Sequence, residues 1–150
     1  MRSLNYILGG PQGGGLETSS QVLSWAFAKS GYGVISDREY YSNIVGRHSY
    51  IHAKVDGEEL PKGLEYPVKL LGSMDAESVF THFTDLDKGA YVIYNSDLNS
   101  TRLSQIPSVE PEVGIRILEI LKKLNVEQDL GSLVKYLKEN GVNIVALSYR

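Results

Sequence analysis

Leu8-Gly-Gly-Pro-Gln-Gly-Gly-Gly-Leu-Glu-Thr-Ser-Ser20 decides how the chain is read. The apolar run Tyr6-Ile7-Leu8 enters it, and an amphipathic segment with Val22, Leu23, Trp25, Ala26 and Phe27 leaves it. Strand, glycine turn and helix therefore follow one another. Gly9, Gly10, Gly13, Gly14 and Gly15 tolerate positive φ and place no Cβ in the way of an approaching group. Thr18, Ser19 or Ser20 is the expected cap of the helix, whose free N–H groups favour an anion or a partner carboxylate. The glycines alone serve equally a tight turn where helix packs on strand and a contact to a ligand or partner.

Two common phosphate-binding patterns do not fit. No lysine follows the glycines, as a P-loop requires. G-x-G-x-x-G fails as well: Pro11 and Gln12 stand two places after Gly9 and Gly10, and Thr18 stands where Gly13-x-Gly15 would need its last glycine. Asp37, at the end of the next strand, is a faint echo of the acid that binds a ribose.

Outward from the turn, residues 17–29 read as a helix with Val22, Trp25 and Ala26 inward, joined by Leu23, and Gly31 as its stop. Residues 33–37 read as a second strand, parallel to the first through a right-handed crossover. Arg38-Glu-Tyr-Tyr-Ser-Asn-Ile-Val-Gly-Arg-His-Ser-Tyr50 has no clear period and reads as a loop. Loops of this length inside a domain tend to be functional, and Arg and Tyr dominate interface hot spots. Residues 49–55 alternate as a strand, with Tyr50, His52 and Lys54 on one face and Ile51, Ala53 and Val55 on the other. His48 is expected as a loop hydrogen-bonding residue and His52 as a half-exposed strand residue. No third ligand stands beside them in sequence, so no metal site is expected.

Residues 58–66 form a surface connection and 68–71 a short strand. Residues 75–83 form a helix capped by Asp75, with Val79, Phe80 and Phe83 inward and His82 on the exposed face. Residues 90–94 are a buried strand. Residues 95–102 lie beyond its carboxyl end, where ligands of open α/β sheets bind, though Asn and Asp there also make turns. Amphipathic helices follow over 112–124 and 129–140, then a stop at Gly141 and a last strand over 142–147. The order predicts an α/β fold: a three-layer, mostly parallel, Rossmann-like sheet flanked by helices.

The 150 residues make one domain, 1–150, with 42% hydrophobic and 22% charged residues, as in ordinary soluble globular proteins. A net charge of −3 argues against general nucleic-acid binding and offers a membrane no attraction. No stretch is apolar enough to span a bilayer, and Met1-Arg2-Ser3-Leu4 leads into a strand rather than a signal peptide, so a cytoplasmic protein is expected. With no cysteine there is no disulfide, no thiol nucleophile and no cysteine-held iron–sulfur cluster in this chain. The last strand runs directly to Arg150, and the expectation is a piece of a longer chain.

Two stretches together resemble a known family. The glycine turn Gly9-Gly-Pro-Gln-Gly-Gly-Gly15, followed by the stretch from Arg38 to Tyr50, resembles the gamma domain of 2-oxoacid:ferredoxin oxidoreductases. The second stretch is most similar to the archaeal two-subunit enzymes, whose gamma domain is fused ahead of the pyrimidine-binding part of the alpha subunit. The resemblance covers nearly the whole chain, the later half in arrangement more than in motif. Pro11 and Gly15 depart from the commoner glycine turn of the family.

The resemblance implies an enzyme that oxidatively decarboxylates a 2-oxoacid to an acyl-CoA and passes the electrons to ferredoxin. It implies thiamine diphosphate, Mg2+ and an iron–sulfur cluster in the whole enzyme, and no cofactor, metal or catalytic residue in this chain by itself. The implied partners are the remainder of the alpha subunit, the beta subunit and, for the whole enzyme, ferredoxin. Its motif positions carry over as ligand- or partner-binding residues: Gly10, Gln12, Gly13, Ser42, Asn43, Gly46, Arg47, His48 and Ser49. The Arg47 guanidinium suits a phosphate, such as that of coenzyme A, or a partner carboxylate; an ion pair within its own loop serves it as well. Tyr40 and Tyr41 suit an interface. Two other readings stand beside this one: a free-standing Rossmann-like nucleotide-binding protein using residues 9–15, and a pure assembly module. A domain cut from its partners exposes an apolar patch, so the fragment is expected to form a homodimer.

Overall fold

The computed structural model describes residues 3–11, 13–40, 48–58, 60–106 and 109–149, apart from the side chains of Glu39 and Tyr40. The strands are β1 (Ser3–Pro11), β2 (Gly33–Tyr40), β3 (His48–Asp56), β4 (Val68–Ser73), β5 (Leu86–Asn95) and β6 (Asn143–Leu147). The helices are α1 (Leu16–Lys29), α2 (Ala76–His82), α3 (Pro111–Leu124) and α4 (Leu130–Glu139). One six-stranded sheet has the order β2-β3-β1-β4-β5-β6. β1, β4, β5 and β6 pair in parallel, and β3 lies antiparallel to both β1 and β2. Five strands thus share one direction and β3 alone opposes them. β1 and β2 are parallel, as expected, but β3 fills the place between them.

The described ends of the stretch read as a loop are strand, and residues 41–47 lie outside the described residues. Residues 38–40 extend β2 and residues 48–50 begin β3, with Tyr40 opposite Ser49. Aromatic and mixed polar residues hid the strand period there, because strand preference reflects fit to a pleated surface more than a fixed apolar–polar alternation.

The two faces follow from strand alternation. Ile7, Leu71 and Val92 point to α2, α3 and α4, joining Val79, Phe80, Ile117, Leu121, Leu130 and Leu133 in the main core. Tyr6, Ala53 and Val55 point the other way, against Leu23 and Phe27 of α1. The inward stripe of α1 is Leu16, Ser20, Leu23 and Phe27, the i, i+4, i+7, i+11 series of a helix. Val22, Trp25 and Ala26, expected inside, lie outside; Val22 is 63% and Trp25 68% exposed. Lys29 sits 4.7 Å over the Trp25 ring. The helix starts at Leu16, one residue earlier than expected, and its buried stripe is rotated about one residue's turn from the expected one. Gly15, at φ 84°, is the N-cap, so Thr18, Ser19 and Ser20 are already helical and cap nothing.

The other helix ends follow the sequence. Asp75 and Asp129 accept hydrogen bonds from the Ser78 and Ser132 N–H groups at the starts of α2 and α4, and Pro111 opens α3. The turn expected after β5 is an Asx turn: Asn95 Oδ1 accepts from the Asp97 N–H at 3.1 Å. Among the described residues, no helix is long and apolar enough to cross a membrane.

Candidate functional site

The chain leaves β1 through α1 on one face of the sheet and leaves β4 through α2 on the other. Between the carboxyl ends of β1 and β4 the connections therefore part, which is where open α/β sheets hold ligands or partners. Four elements meet at this point. β1 brings Gly9 and Gly10, β3 brings His48 and Ser49, the end of β4 brings Ser73 and Met74, and α2 brings Glu77, Ser78 and His82. The Met74 N–H donates to the Gly9 carbonyl at 2.9 Å, extending the ladder past the strands. The Tyr149 hydroxyl donates to the Ser73 carbonyl at 2.7 Å.

The first two glycines are there for space. A Cβ on Gly9 would stand 2.4 Å from Ser78 Oγ and 3.3 Å from His48 Cε1, and one on Gly10 would stand 3.0 Å from Met74 Cβ. The start of α2 and the His48 ring occupy what a side chain on β1 would fill. Gly9 and Gly10 are therefore positions of close packing. The turn itself closes with the Gly14 N–H donating to the Pro11 carbonyl at 3.0 Å, and Gly13 has φ 89°.

All three histidines are buried, against expectation. His48 is a strand residue whose Nε2 lies 2.9 Å from Nε2 of His82. Tyr50 sits edge-on to His82, with ring centroids 4.3 Å apart. His82 Nδ1 lies 3.4 Å from Asp85 Oδ2, a contact that favours the proton on Nδ1. Burial, and then the neighbouring His82, push the His48 pKa down to about 3, so the ring is neutral at physiological pH. His52 Nε2 is 2.8 Å from the Glu65 carbonyl. The 60–66 connection seals it, held to β1 through Asn5, whose Nδ2 donates to the Glu65 and Pro67 carbonyls.

His48, Asp75 and Glu77 each bring a ligand-type atom within 4.8 Å of the others. The sequence reading found no third ligand because the carboxylates arrive from α2. Asp75 already uses Oδ1 on the Ser78 N–H and hydroxyl, at 2.9 and 2.5 Å.

Of the motif residues, the structure brings Gly10, His48 and Ser49 together at this point, with Gly13 in the adjoining turn. Gln12, Ser42, Asn43, Gly46 and Arg47 lie outside the described residues, as does Tyr41. Ser49 is fully buried, and its hydroxyl has no hydrogen-bond partner among the described residues. Asp37 is exposed and pairs across to His52, away from the glycine turn. The sequence reading missed Glu77, Ser78 and His82. Positions 75, 78, 79, 82 and 83 form one helical stripe, so the spacing was a signal for Ser78 and His82 beside Val79 and Phe83, and Glu77 lies off it.

A family model described as pyruvate ferredoxin/flavodoxin oxidoreductase matches residues 5–150. The alpha subunit of 2-oxoacid:ferredoxin oxidoreductase 1 from Aeropyrum pernix is 45% identical over 145 residues, 95% of this chain and 23% of the relative. The corresponding alpha subunit from Saccharolobus solfataricus is 34% identical over 97% of this chain and 23% of its own length. The chain thus spans about a quarter of the curated relatives it matches. Among solved structures, a 2-oxoglutarate:ferredoxin oxidoreductase from Magnetococcus marinus shares the fold at a TM-score of 0.59 and 11% identity, over 100% of this chain and 34% of that one. A pyruvate oxidoreductase subunit from Thermotoga maritima does so at 0.52 and 14%, over 93% of this chain and 96% of that one. By the match over residues 5–150 and the identity to full-length alpha subunits, the chain belongs to the pyruvate ferredoxin/flavodoxin oxidoreductase family.

Proposed function

We propose that the chain is the non-catalytic gamma-type domain of a thiamine diphosphate-dependent 2-oxoacid:ferredoxin oxidoreductase, in which it holds the assembly together and lines the approach of coenzyme A. The observation that carries this is the 45% identity to an alpha subunit over 95% of the chain. The chemistry of the chain agrees with a supporting part. It has no cysteine to hold an iron–sulfur cluster. Its crevice is occupied by His48, which lies 2.9 Å from His82, and by the helix-capping Asp75. No step of the reaction is assigned to its residues. The remainder of the alpha subunit, the beta subunit and ferredoxin are its proposed partners.

The intact enzyme carrying this chain, purified through a tag on it, is expected to reduce an artificial acceptor with a 2-oxoacid and coenzyme A, and the chain alone to be inactive. Failure of that activity to copurify overturns the proposal. Arg47→Ala tests the coenzyme A part. Loss of a charge-assisted bond is worth about 1.5–3 kcal/mol, so the KM for coenzyme A is expected to rise roughly 10- to 100-fold with the KM for the 2-oxoacid unchanged. An unchanged KM for coenzyme A leaves the domain an assembly element only.

A further inference from the structure

We propose that His48, Asp75 and Glu77 form a binding site for a divalent transition-metal ion of the Zn2+ type, which ties the start of α2 to the sheet. This goes beyond the family reading, which places no metal in this chain, and it uses only residues of the chain itself.

His48 opens β3, Asp75 caps α2 and Glu77 stands in the first turn of that helix. Each offers one ligand-type atom, and the three atoms lie within 4.8 Å of one another. Ligands of one zinc ion sit about 2.0–2.2 Å from it, and so at most about 4.4 Å apart. A side-chain movement of about half an ångström therefore completes the set. His48 is 1% and Glu77 5% exposed, whereas Asp75 is half-buried. The site is walled by protein and reached from the Asp75 side.

The ligands are also held from behind. Asp75 keeps Oδ1 on the Ser78 N–H and hydroxyl, and its carbonyl accepts from the Ser73 hydroxyl. This gives its other oxygen, Oδ2, to the ion. His48 Nε2 lies 2.9 Å from His82 Nε2, and His82 Nδ1 lies 3.4 Å from Asp85 Oδ2. A metal-bound imidazole ordinarily hydrogen-bonds through its second nitrogen, and that partner fixes the ring's direction. His82 is such a partner for His48, and Asp85 orients His82 in turn, which assigns Nδ1 of His48 to the ion. A Cβ on Gly9 would stand 3.3 Å from His48 Cε1 and 2.4 Å from Ser78 Oγ. The imidazole and the start of α2 are thus packed against one position of β1, which keeps the ligands in place before any ion arrives.

The donor set selects the class of ion. One imidazole nitrogen with two carboxylate oxygens suits a borderline ion such as Zn2+, whereas Mg2+ and Ca2+ favour oxygen ligands alone. Two carboxylates balance the double positive charge, and three protein ligands leave a further position for water.

The test is zinc content, read by elemental analysis after gel filtration. The intact protein carrying this chain is stripped with EDTA and then equilibrated with micromolar Zn2+. It is expected to hold one zinc per chain more than the Asp75→Asn, Glu77→Gln double variant, which keeps the capping oxygen and both side-chain shapes. Melting in EDTA is expected to be the same for the two proteins, and Zn2+ to raise the midpoint of the parent alone. His82→Gln leaves all three ligands in place and is expected to weaken zinc binding about 10- to 100-fold. Equal zinc content in parent and double variant overturns the proposal. So does a zinc affinity that His82→Gln leaves unchanged, a result that stands even if the double variant does not fold. Zinc content is independent of 2-oxoacid oxidation, so a failure here leaves the family role as it was.

Discussion

The face of the sheet under α2, α3 and α4 and the face under α1 carry side chains of similar kind, covered to different degrees. Beneath the three helices, Ile7, Leu71 and Val92 are fully buried among Val79, Phe80, Leu130 and Leu133. On the other face the same strands place Tyr91, Val145 and Leu147 in solvent. Composition therefore does not distinguish a face that this chain covers from one whose side chains stay exposed. What distinguishes them is whether this chain itself supplies the second layer. The switch point between β1 and β4 lies where these two regimes meet, with His48 against His82 of α2.

That contrast can be broken first in the core. Phe80→Ala on the covered face is expected to lower the unfolding free energy by about 3–5 kcal/mol. Leu147→Ala on the bare face is expected to stay within about 0.5 kcal/mol, both by urea denaturation of the chain. Equal effects would mean that the two faces are equally covered. At the boundary, Gly9→Ala forces a Cβ against Ser78 and is expected to cost about 1–3 kcal/mol. Ser78→Gly in the same molecule should recover part of that loss, giving a non-additive cycle.

Acidification probes the sealed histidine. The unfolded His48 binds a proton below about pH 6.5, whereas the folded one resists it down to about 3. The unfolded state thus takes up more protons between those values, and stability falls as pH drops through 6.5 toward 3. The slope is at most about 1.4 kcal/mol per pH unit. His48→Gln is expected to flatten that part of the curve of denaturation midpoint against pH. The smallest effect is Ser49→Ala. Its buried hydroxyl has no partner among the described residues, so stability should be unchanged or rise by a few tenths of a kcal/mol, about the limit of a thermal melt.

Much of the fold was legible because its signals are local. The Asp75 and Asp129 caps, Pro111 at the start of α3, the stops at Gly31 and Gly141 and the stripe Leu130, Leu133, Val134, Leu137 all act within a turn or two of chain. The candidate site was half legible. His48 and Ser49 were named from their motif, but their neighbours Glu77, Ser78 and His82 come from a helix whose place over β1 no local pattern specifies. Trp25 misled for a related reason. A large apolar residue at a helical position is read as core, but here the side packed on Tyr6, Ala53 and Val55 is that of Leu23 and Phe27.

By itself, the sequence determined the succession of strands and helices, their caps and the absence of thiol chemistry, since these depend on residue type and short-range spacing. Only the tertiary structure decided that β3 lies between β1 and β2, that the three histidines are buried, and that Gly9 makes room for α2 and Gly10 for Met74. It alone also left one apolar face of β4–β6 open. Each of these depends on which distant segments meet, and strand pairing and helix packing settle that through contacts between residues far apart in the chain.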